Sequence, residues 1–447
     1  MSFTPKELIG RLAGTGQGLP EPARYVVAYS GGLDSTVLLH ALVRAVGSFA
    51  SPPPVLAVHV DHQMHPDSAA WAAHCERFAA SLGVRYECRR AQVALDAGEG
   101  PEAAARTARY VILEHMLETG DWLLSAHHEN DQAETLLLNL MRGSGLAGLA
   151  GIGPSRPLGR GWLLRPLLGI PRAELERYAD AEALAWVEDP SNAESRYDRN
   201  FVRHEILPLL QTRWPAAAGS LRRSAELAAE AAALLAELAE VDLAAAGEPA
   251  KLDLGILRAL PGPRQRNLLR HAIRRLGLPL PPATRLNQVI EELAAAREDA
   301  QPLVAWPGAE VRRYRDHAYL LPAQVSPGAP DGELLEPGRA PLSLGVGRGS
   351  LALEPAGGPG IRPSVVESGL RIAWREGGER LRPKGHAQTH SLKKLLQDAG
   401  IVPWQRARIP LLYSEERLVA VGDLWIASEF VSEEGYRVRW LERPALF

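Results

Sequence analysis

Two short polar runs carry residue types at spacings that chemistry needs. The first is Ser30-Gly31-Gly32-Leu33-Asp34-Ser35, which follows an apolar run and precedes a helical pattern. Paired glycines let a backbone approach a phosphate closely, a helix N-terminus favours negative charge, and Ser30 and Ser35 add hydroxyl donors. No lysine stands where the G-x-x-x-x-G-K-[ST] loop requires one, so this is a different phosphate cradle. A plain strand-helix turn of small residues is the alternative for an isolated Ser-Gly-Gly, but Asp34 and Ser35 complete a longer pattern. The Asp34 carboxylate can hold Mg²⁺ against phosphates, because that hard cation prefers oxygen ligands. It could also cap a helix beginning at Thr36.

The second run is His127-His128-Glu129-Asn130-Asp131-Gln132-Ala133-Glu134-Thr135. Its carboxylates and imidazoles could bind a metal or polarise a nucleophile, or could simply complement a helix dipole. Asp131 and Glu134 stand three apart, so they share a helix face and could jointly meet a cationic substrate. Glu102-Ala-Ala-Ala-Arg106-Thr-Ala-Arg109-Tyr110 sets two arginines one turn apart, suited to phosphate charge or a developing oxyanion. Further on, Arg172, Glu174, Glu188-Asp189-Pro190-Ser191-Asn192, Tyr197-Asp198-Arg199-Asn200 and Arg203 are dense in paired charge.

These runs need elements to hold them. Strands are expected at Tyr25–Tyr29, Val55–Val60, Val84–Cys88 and Trp122–Ala126, with helices at Thr36–Val46, Ala69–Leu82, Pro101–Glu118 and Gln132–Arg142. That alternation is the mark of βαβ units and a parallel sheet. Right-handed crossovers place ligands beyond the strands' carboxyl ends, so Ser30–Ser35, Asp61–His65 and His127–Asp131 should converge. His59-Val60-Asp61-His62 would then lie where an adenosine could sit. The predicted organisation is an α/β domain over 1–215, a helical domain over 216–325, a Gly/Pro-rich linker or irregular β stretch over 326–363, and a small α+β domain over 364–447. In the second, Ser224–Ala245 reads as a long helix and Arg264–Leu276 as a basic amphipathic one.

The bulk numbers limit the classes. A chain of 447 residues calls for two or three domains, and 46% hydrophobic with 23% charged residues is ordinary for a globular protein. A net charge of -3 means that any nucleic-acid surface must be a local patch. Only Cys75 and Cys88 are present, without C-x-x-C spacing, which argues against a disulfide framework, a zinc site or a cluster. With no signal-peptide pattern and no run of about 18 apolar residues, a cytoplasmic protein without membrane contact is expected.

S-G-G-L-D-S resembles the PP-loop superfamily, whose members split ATP between the α- and β-phosphates. Taken with E-A-A-A-R-x-A-R-Y, H-H-x-x-D-Q-A-E-T, R-G-S-G-L-A-G-L and the charged series to Arg203, the chain resembles the tRNA(Ile)-lysidine synthases. Ser391-Leu392-Lys393-Lys394-Leu395-Leu396 through Val402-Pro403-Trp404, with Arg406 and Arg408, is similar to that family's C-terminal domain. One departure is Asn130, which stands where the family commonly has the first of two acids. Asparagine keeps an acceptor but lacks the charge.

The resemblance implies ATP and Mg²⁺ as cofactors, with ATP on Ser30–Ser35 and the metal at Asp34. It implies as partners a tRNA(Ile) with a CAU anticodon and free lysine, and leaves a homodimer open. Asp34, Arg109, His128 and Asp131 would be catalytic. Asp131, Glu134, Asp189, Arg199 and Arg203 would bind lysine, and Lys393, Lys394 and Arg406, beside Trp404, would bind the acceptor arm. A PP-loop tRNA thiolase, a PP-loop synthetase acting on a small metabolite, and a non-catalytic RNA-binding protein with a nucleotide pocket remain as alternatives.

Overall fold

The computed structural model describes residues 3–92, 101–190, 194, 196–295, 302–323, 331–345, 347–444 and 446. Ser191 and Asn192 of the charged series lie outside the described residues. The chain divides into two compact units, Met1–Leu238 and Ala239–Phe447.

In the first unit the elements run α1 (Pro5–Thr15), β1 (Arg24–Ala28), α2 (Leu33–Val46), β2 (Val55–Asp61), α3 (Ser68–Ser81), β3 (Arg85–Arg90), α4 (Pro101–Met116), β4 (Asp121–Leu124) and α5 (Glu129–Met141). Then come α6 (Leu146–Leu149), the hairpin β5 (Ser155–Leu158) and β6 (Gly161–Leu164), α7 (Arg172–Ala181), α8 (Asp198–Phe201), a π-helical turn over Val202–Ile206 and α9 (Leu207–Arg213). The sheet order is β3-β2-β1-β4-β6-β5. Neighbours are parallel except β5, which runs antiparallel to β6. Apolar runs such as Tyr25-Val26-Val27 and Leu56-Ala57-Val58 suit strands buried on both faces. Because successive side chains alternate, Tyr25, Val27, Ala57, Leu124 and Leu164 share one core with α1, α2, α3 and α7. Val26, Leu56, Val58, Leu123 and Leu163 share the other with Leu113 and Leu117 at the end of α4.

The expected α/β domain is therefore present, with three local differences. Helix α2 begins at Leu33, not Thr36, and α5 begins at Glu129, not Gln132. Helix N-termini leave backbone N–H groups free, so short polar residues accumulate there and read as loop in the sequence. The β5–β6 hairpin was not expected at all.

Within the second unit, the region read as helical is mixed. Helices Gly262–Arg275 and Ala283–Ala295 bury Leu268, Leu269, Ile273, Leu286, Val289 and Leu293 against Leu252, Val304, Val311 and Leu320. Those four come from a five-stranded antiparallel sheet built from residues 247–248, 251–253, 303–306, 309–314 and 317–322. The missed signal was Pro307-Gly308 between two apolar runs, with Gly308 at φ +86°. Of the two readings of 326–363, a linker or irregular β structure, the described residues follow the second. Strand Leu334–Leu335 pairs with Leu370–Ala373, and Ser350–Pro355 pairs along Tyr436–Leu441, so this stretch belongs to the C-terminal sheets. Gly345, Gly349 and Gly357 all take positive φ, which is why glycine-rich sequence here marks tight turns between short strands. Among the described residues no helix is long and apolar enough to cross a membrane.

Candidate active site

The Ser30–Ser35 loop is held by its own hydroxyls. Ser35 Oγ accepts from the Ser30 N–H at 3.2 Å, lies 3.0 Å from Ser30 Oγ and donates to the Gly32 carbonyl at 3.0 Å. Gly32 is the N-cap of α2, which puts Leu33, Asp34 and Ser35 in the first helical turn. That overturns the helix-cap reading of Asp34. Gly31 has φ +86°, and a Cβ there would meet Cys75 Sγ at 2.7 Å. The Gly31 carbonyl accepts from Val187 N–H at 2.9 Å, which ties the segment before Asp189 to the loop. Gly31→Ala is thus expected to lower stability by about 1–3 kcal/mol, with a matching drop in Tm, and to weaken ATP binding. Adding Cys75→Ala should recover part of the loss by removing the Sγ contact. An unchanged Tm in the single variant would contradict this loop geometry.

Opposite Asp34 stands the N-terminus of α5. His128 is its N-cap: Nδ1 accepts from Asn130 N–H at 3.2 Å, and His128 N–H donates to Asp131 Oδ2 at 3.0 Å. This reciprocal cap fixes the ring, and His128 Nε2 comes to 3.6 Å from Asp34 Oδ2 and 3.5 Å from Asp131 Oδ2. Arg172 Nη1 lies 3.5 Å from Asp34 Oδ2. His128 Nε2 and Asp34 Oδ1 are buried without a hydrogen-bond partner. Burial disfavours a charged His128, but Asp131 and Asp34 outweigh it and hold its pKa above the ordinary value. For His127, bonded to Ser125 Oγ at 2.7 Å, burial wins and the pKa is pushed down to about 3.

Asp131 and Glu134 do share a face of α5, but they meet arginines of the protein itself. Glu134, fully buried, accepts from Arg203 Nε at 2.7 Å, Arg203 Nη2 at 2.9 Å and Arg199 Nε at 3.0 Å. Asp131 Oδ1 accepts from Arg199 and Arg203, each at 3.1 Å. Burial favours a protonated Asp131; His128, His127, Arg199 and Arg203 reverse that and hold it well below the usual carboxylate range. The picture of two open acids awaiting a cation is therefore corrected: both are already matched by guanidiniums. Beside this network is a cavity of about 330 Å³ bordered by Asn130, Glu134, Arg172, Arg203, His204 and Gln211. Among the described residues no group of three or more His, Cys, Asp or Glu side chains is arranged to hold a metal, so the acidic run is not a metal cluster by itself.

The other expected residues fall elsewhere. Asn130 Oδ1 accepts from the Arg172 N–H at 3.3 Å, at the start of α7, so the acceptor that an acid would offer is kept without its charge. Arg172, which the sequence marked only as part of a charged series and gave no role, thereby joins the site. His59 and Asp61 are buried and serve structure, His59 Nδ1 lying 3.1 Å from the Tyr29 carbonyl and Asp61 accepting from Gln63 N–H at 2.8 Å. Arg109 Cζ lies 5.7 Å from the centroid of the Tyr110 ring. In the C-terminal region Lys393 and Lys394 are exposed, but Arg406 is 8% exposed. It donates to the Ile401 carbonyl at 2.8 Å and to Tyr314 Oη at 3.2 Å. Trp404 packs edge-on against Tyr319 at 5.3 Å. Arg406 and Trp404 are thus packing residues and are withdrawn from the RNA-facing set.

A PP-loop domain model matches residues 9–210, a TilS substrate binding domain model residues 252–319, and a TilS substrate C-terminal domain model residues 370–440. The tRNA(Ile)-lysidine synthase of Alkalilimnicola ehrlichii is 46% identical over 437 residues, covering 98% of this chain and 96% of the relative. That of Methylococcus capsulatus is 45% identical over 92% and 94% of the two chains, and that of Coxiella burnetii 39% over 96% and 94%. A solved U34-tRNA thiolase from Methanococcus maripaludis is a distant likeness, 20% identical with a TM-score of 0.43 over 49% of this chain and 77% of its own. On identity sustained along nearly its whole length, the chain belongs to the tRNA(Ile)-lysidine synthase family.

Proposed function

We propose that this ATP-using ligase joins free lysine to C2 of the wobble cytidine in the CAU anticodon of a tRNA(Ile), giving lysidine, AMP and pyrophosphate. The change shifts codon reading from AUG to AUA and amino-acid identity from methionine to isoleucine. The observation that carries the reading is the approach of His128 Nε2 to Asp34 Oδ2 at 3.6 Å beside a phosphate-cradling loop, with Asp34 Oδ1 buried and making no hydrogen bond, in a chain of this family.

The triphosphate lies on Ser30, Gly31, Gly32, Leu33 and Ser35, its oxygens taking N–H groups of the α2 terminus. Asp34 Oδ1 fits a Mg²⁺ ion, whose charge would offset that of the triphosphate. The cytidine C2 oxygen attacks the α-phosphorus, and the bond to pyrophosphate breaks. The lysine ε-amine, neutral when it attacks, then adds at C2, the C–O bond to AMP breaks, and the amine proton is released. His128 orients the reacting groups or takes that proton, with Asp131 holding its ring. Arg109 counters negative charge as the adenylate forms. Lysine is assigned to the cavity beside Glu134 and Arg203, with Asp131, Asp189 and Arg199 completing its surroundings and the arginines taking its carboxylate. We assign the enzyme to the cytoplasm, where these substrates occur.

The deciding experiment is incubation with ATP, lysine and a CAU-anticodon tRNA(Ile) transcript, followed by nucleoside mass spectrometry. Lysidine is expected; AMP release without lysidine would remove lysine from the scheme. The exposed Lys393 and Lys394 are assigned to the acceptor arm. Their double replacement by alanine should weaken tRNA binding and lower the slope of log K against log salt by roughly one to two, leaving ATP binding alone. An unaltered slope would place the acceptor arm elsewhere.

A further inference from the structure

The Asp34–His128 site does not account for a second cluster at the same carboxyl edge of the sheet. Helix α4 brings Arg106 Cζ to 5.6 Å and Arg109 Cζ to 5.7 Å from the Tyr110 ring centroid, and Arg156 from β5 comes to 5.4 Å. Arg165, the residue after β6, lies beside the same phenol and is only 6% exposed. Its Nη1 donates to the Gly153 carbonyl at 2.6 Å, while its Nε is buried with no partner. Four guanidiniums from three stretches of chain thus gather around one tyrosine. Among the described residues no carboxylate forms an ion pair with Arg106, Arg156 or Arg165; Arg156 donates to the Pro157 carbonyl, and Arg165 donates to the Gly153 carbonyl and to the Tyr110 phenol.

Such an arrangement needs a reason. A buried guanidinium beside like charges is costly, and cation–π contacts contribute only about 0.5–2 kcal/mol each, less than an uncompensated buried charge loses. The potential at the cluster is positive: burial would raise the Tyr110 pKa, yet Arg106, Arg109 and Arg165 draw it below the ordinary value. An anion seated among these groups would offset the repulsion and complete the hydrogen bonding of Arg165.

The geometry points to a phosphate subsite, formed by Arg106, Arg156, Arg165 and Tyr110, that takes a backbone phosphodiester of the RNA substrate. The triphosphate has its own cradle in Ser30–Ser35, whose helix α2 packs on the opposite face of the sheet from α4. Arg106 and Arg156 are exposed whereas Arg165 is buried, so the site opens from an anchored interior end onto the surface, as a continuous polyanion requires. Held there, the RNA strand would be fixed close to the ends of β4 and β6, next to His127, whose charged form burial disfavours first and Arg165 and Arg106 disfavour further. The assignment rests on the RNA-ligase reading above.

The test uses the full chain with Arg156→Ala, Arg156→Glu and Arg165→Gln, each checked by thermal melting. Binding of the CAU-anticodon transcript is measured without ATP across a salt series, and binding of ATP alone is measured in parallel. Arg156→Ala should raise the RNA Kd about 3- to 10-fold and reduce the salt slope by about one, Arg156→Glu should do more, and ATP binding should hold. Arg165→Gln should weaken RNA binding at least as much as Arg156→Ala; if it does not fold, the two Arg156 variants decide. RNA affinity and slope unchanged in the Arg156 variants would overturn the subsite. Weakened ATP binding with RNA binding intact would overturn it in favour of a nucleotide phosphate. Failure of the wild-type chain to bind the transcript at all would instead count against the RNA-ligase reading.

Discussion

Asp34→Ala is expected to reduce AMP formation by roughly 10³-fold or more while leaving the melting temperature within a few degrees of the wild type. The side chain is partly exposed, its Oδ1 makes no hydrogen bond, and its Oδ2 contacts to Arg172 and His128 are long, at 3.5 and 3.6 Å, so little of the fold depends on it. Its absence removes the one carboxylate within the phosphate loop, the partner of His128 Nε2 and the counter-charge of Arg172. Adenylation should fail before lysine matters, so raising lysine would restore nothing. Asp34→Asn tests the charge separately: it keeps the shape, so comparable loss there assigns the effect to the negative charge. A well-folded Asp34→Ala protein forming AMP at the normal rate would falsify the assignment.

Glu134→Ala should be among the most destabilising single changes in the first unit. The carboxylate is fully buried and accepts three hydrogen bonds from Arg199 and Arg203. Removing it leaves two guanidiniums in a largely buried setting with only Asp131 to answer them. Breaking a buried pair on one side costs about 3–5 kcal/mol, much of a typical domain's stability. Denaturant titration should therefore show a lower midpoint with little change in slope. Lysine use should fall further than the stability loss explains, because the wall of the lysine cavity moves with Arg203. Glu134→Gln, which keeps the shape and an acceptor, should recover part of the stability and less of the lysine affinity. A Glu134→Ala midpoint equal to that of the wild type would mean that the ion network does not hold α5 to α8 and the π-helical turn after it.

Much of the first unit was legible along the chain because its signals are local. Apolar strand runs, helical spacing and the small polar residues of Ser30–Ser35 are neighbours in sequence, and the βαβ handedness then places their loops at one edge. The motif residues Asp34, His128 and Asp131 were found this way, and the structure does bring them together. Glycine at position 31 was legible as a close-approach residue, though not that Cys75 is what it approaches.

Tertiary structure alone decided the partners. Nothing in the spacing of Asp131 and Glu134 tells whether two acids on one helix face will meet a substrate amine or Arg199 and Arg203, since those arginines arrive from more than sixty residues away. Arg406 and Trp404 had the composition of an RNA-facing patch, and only packing against Tyr314 and Tyr319 turned them inward. The four arginines around Tyr110 were likewise scattered over three elements and became one cluster on folding. Local sequence determined where charges and hydroxyls stand on each element, because periodicity and turn chemistry act over a few residues. Which of those charges is left to act on a ligand was settled by the fold, because burial makes each charge find a counter-charge wherever in the chain it lies.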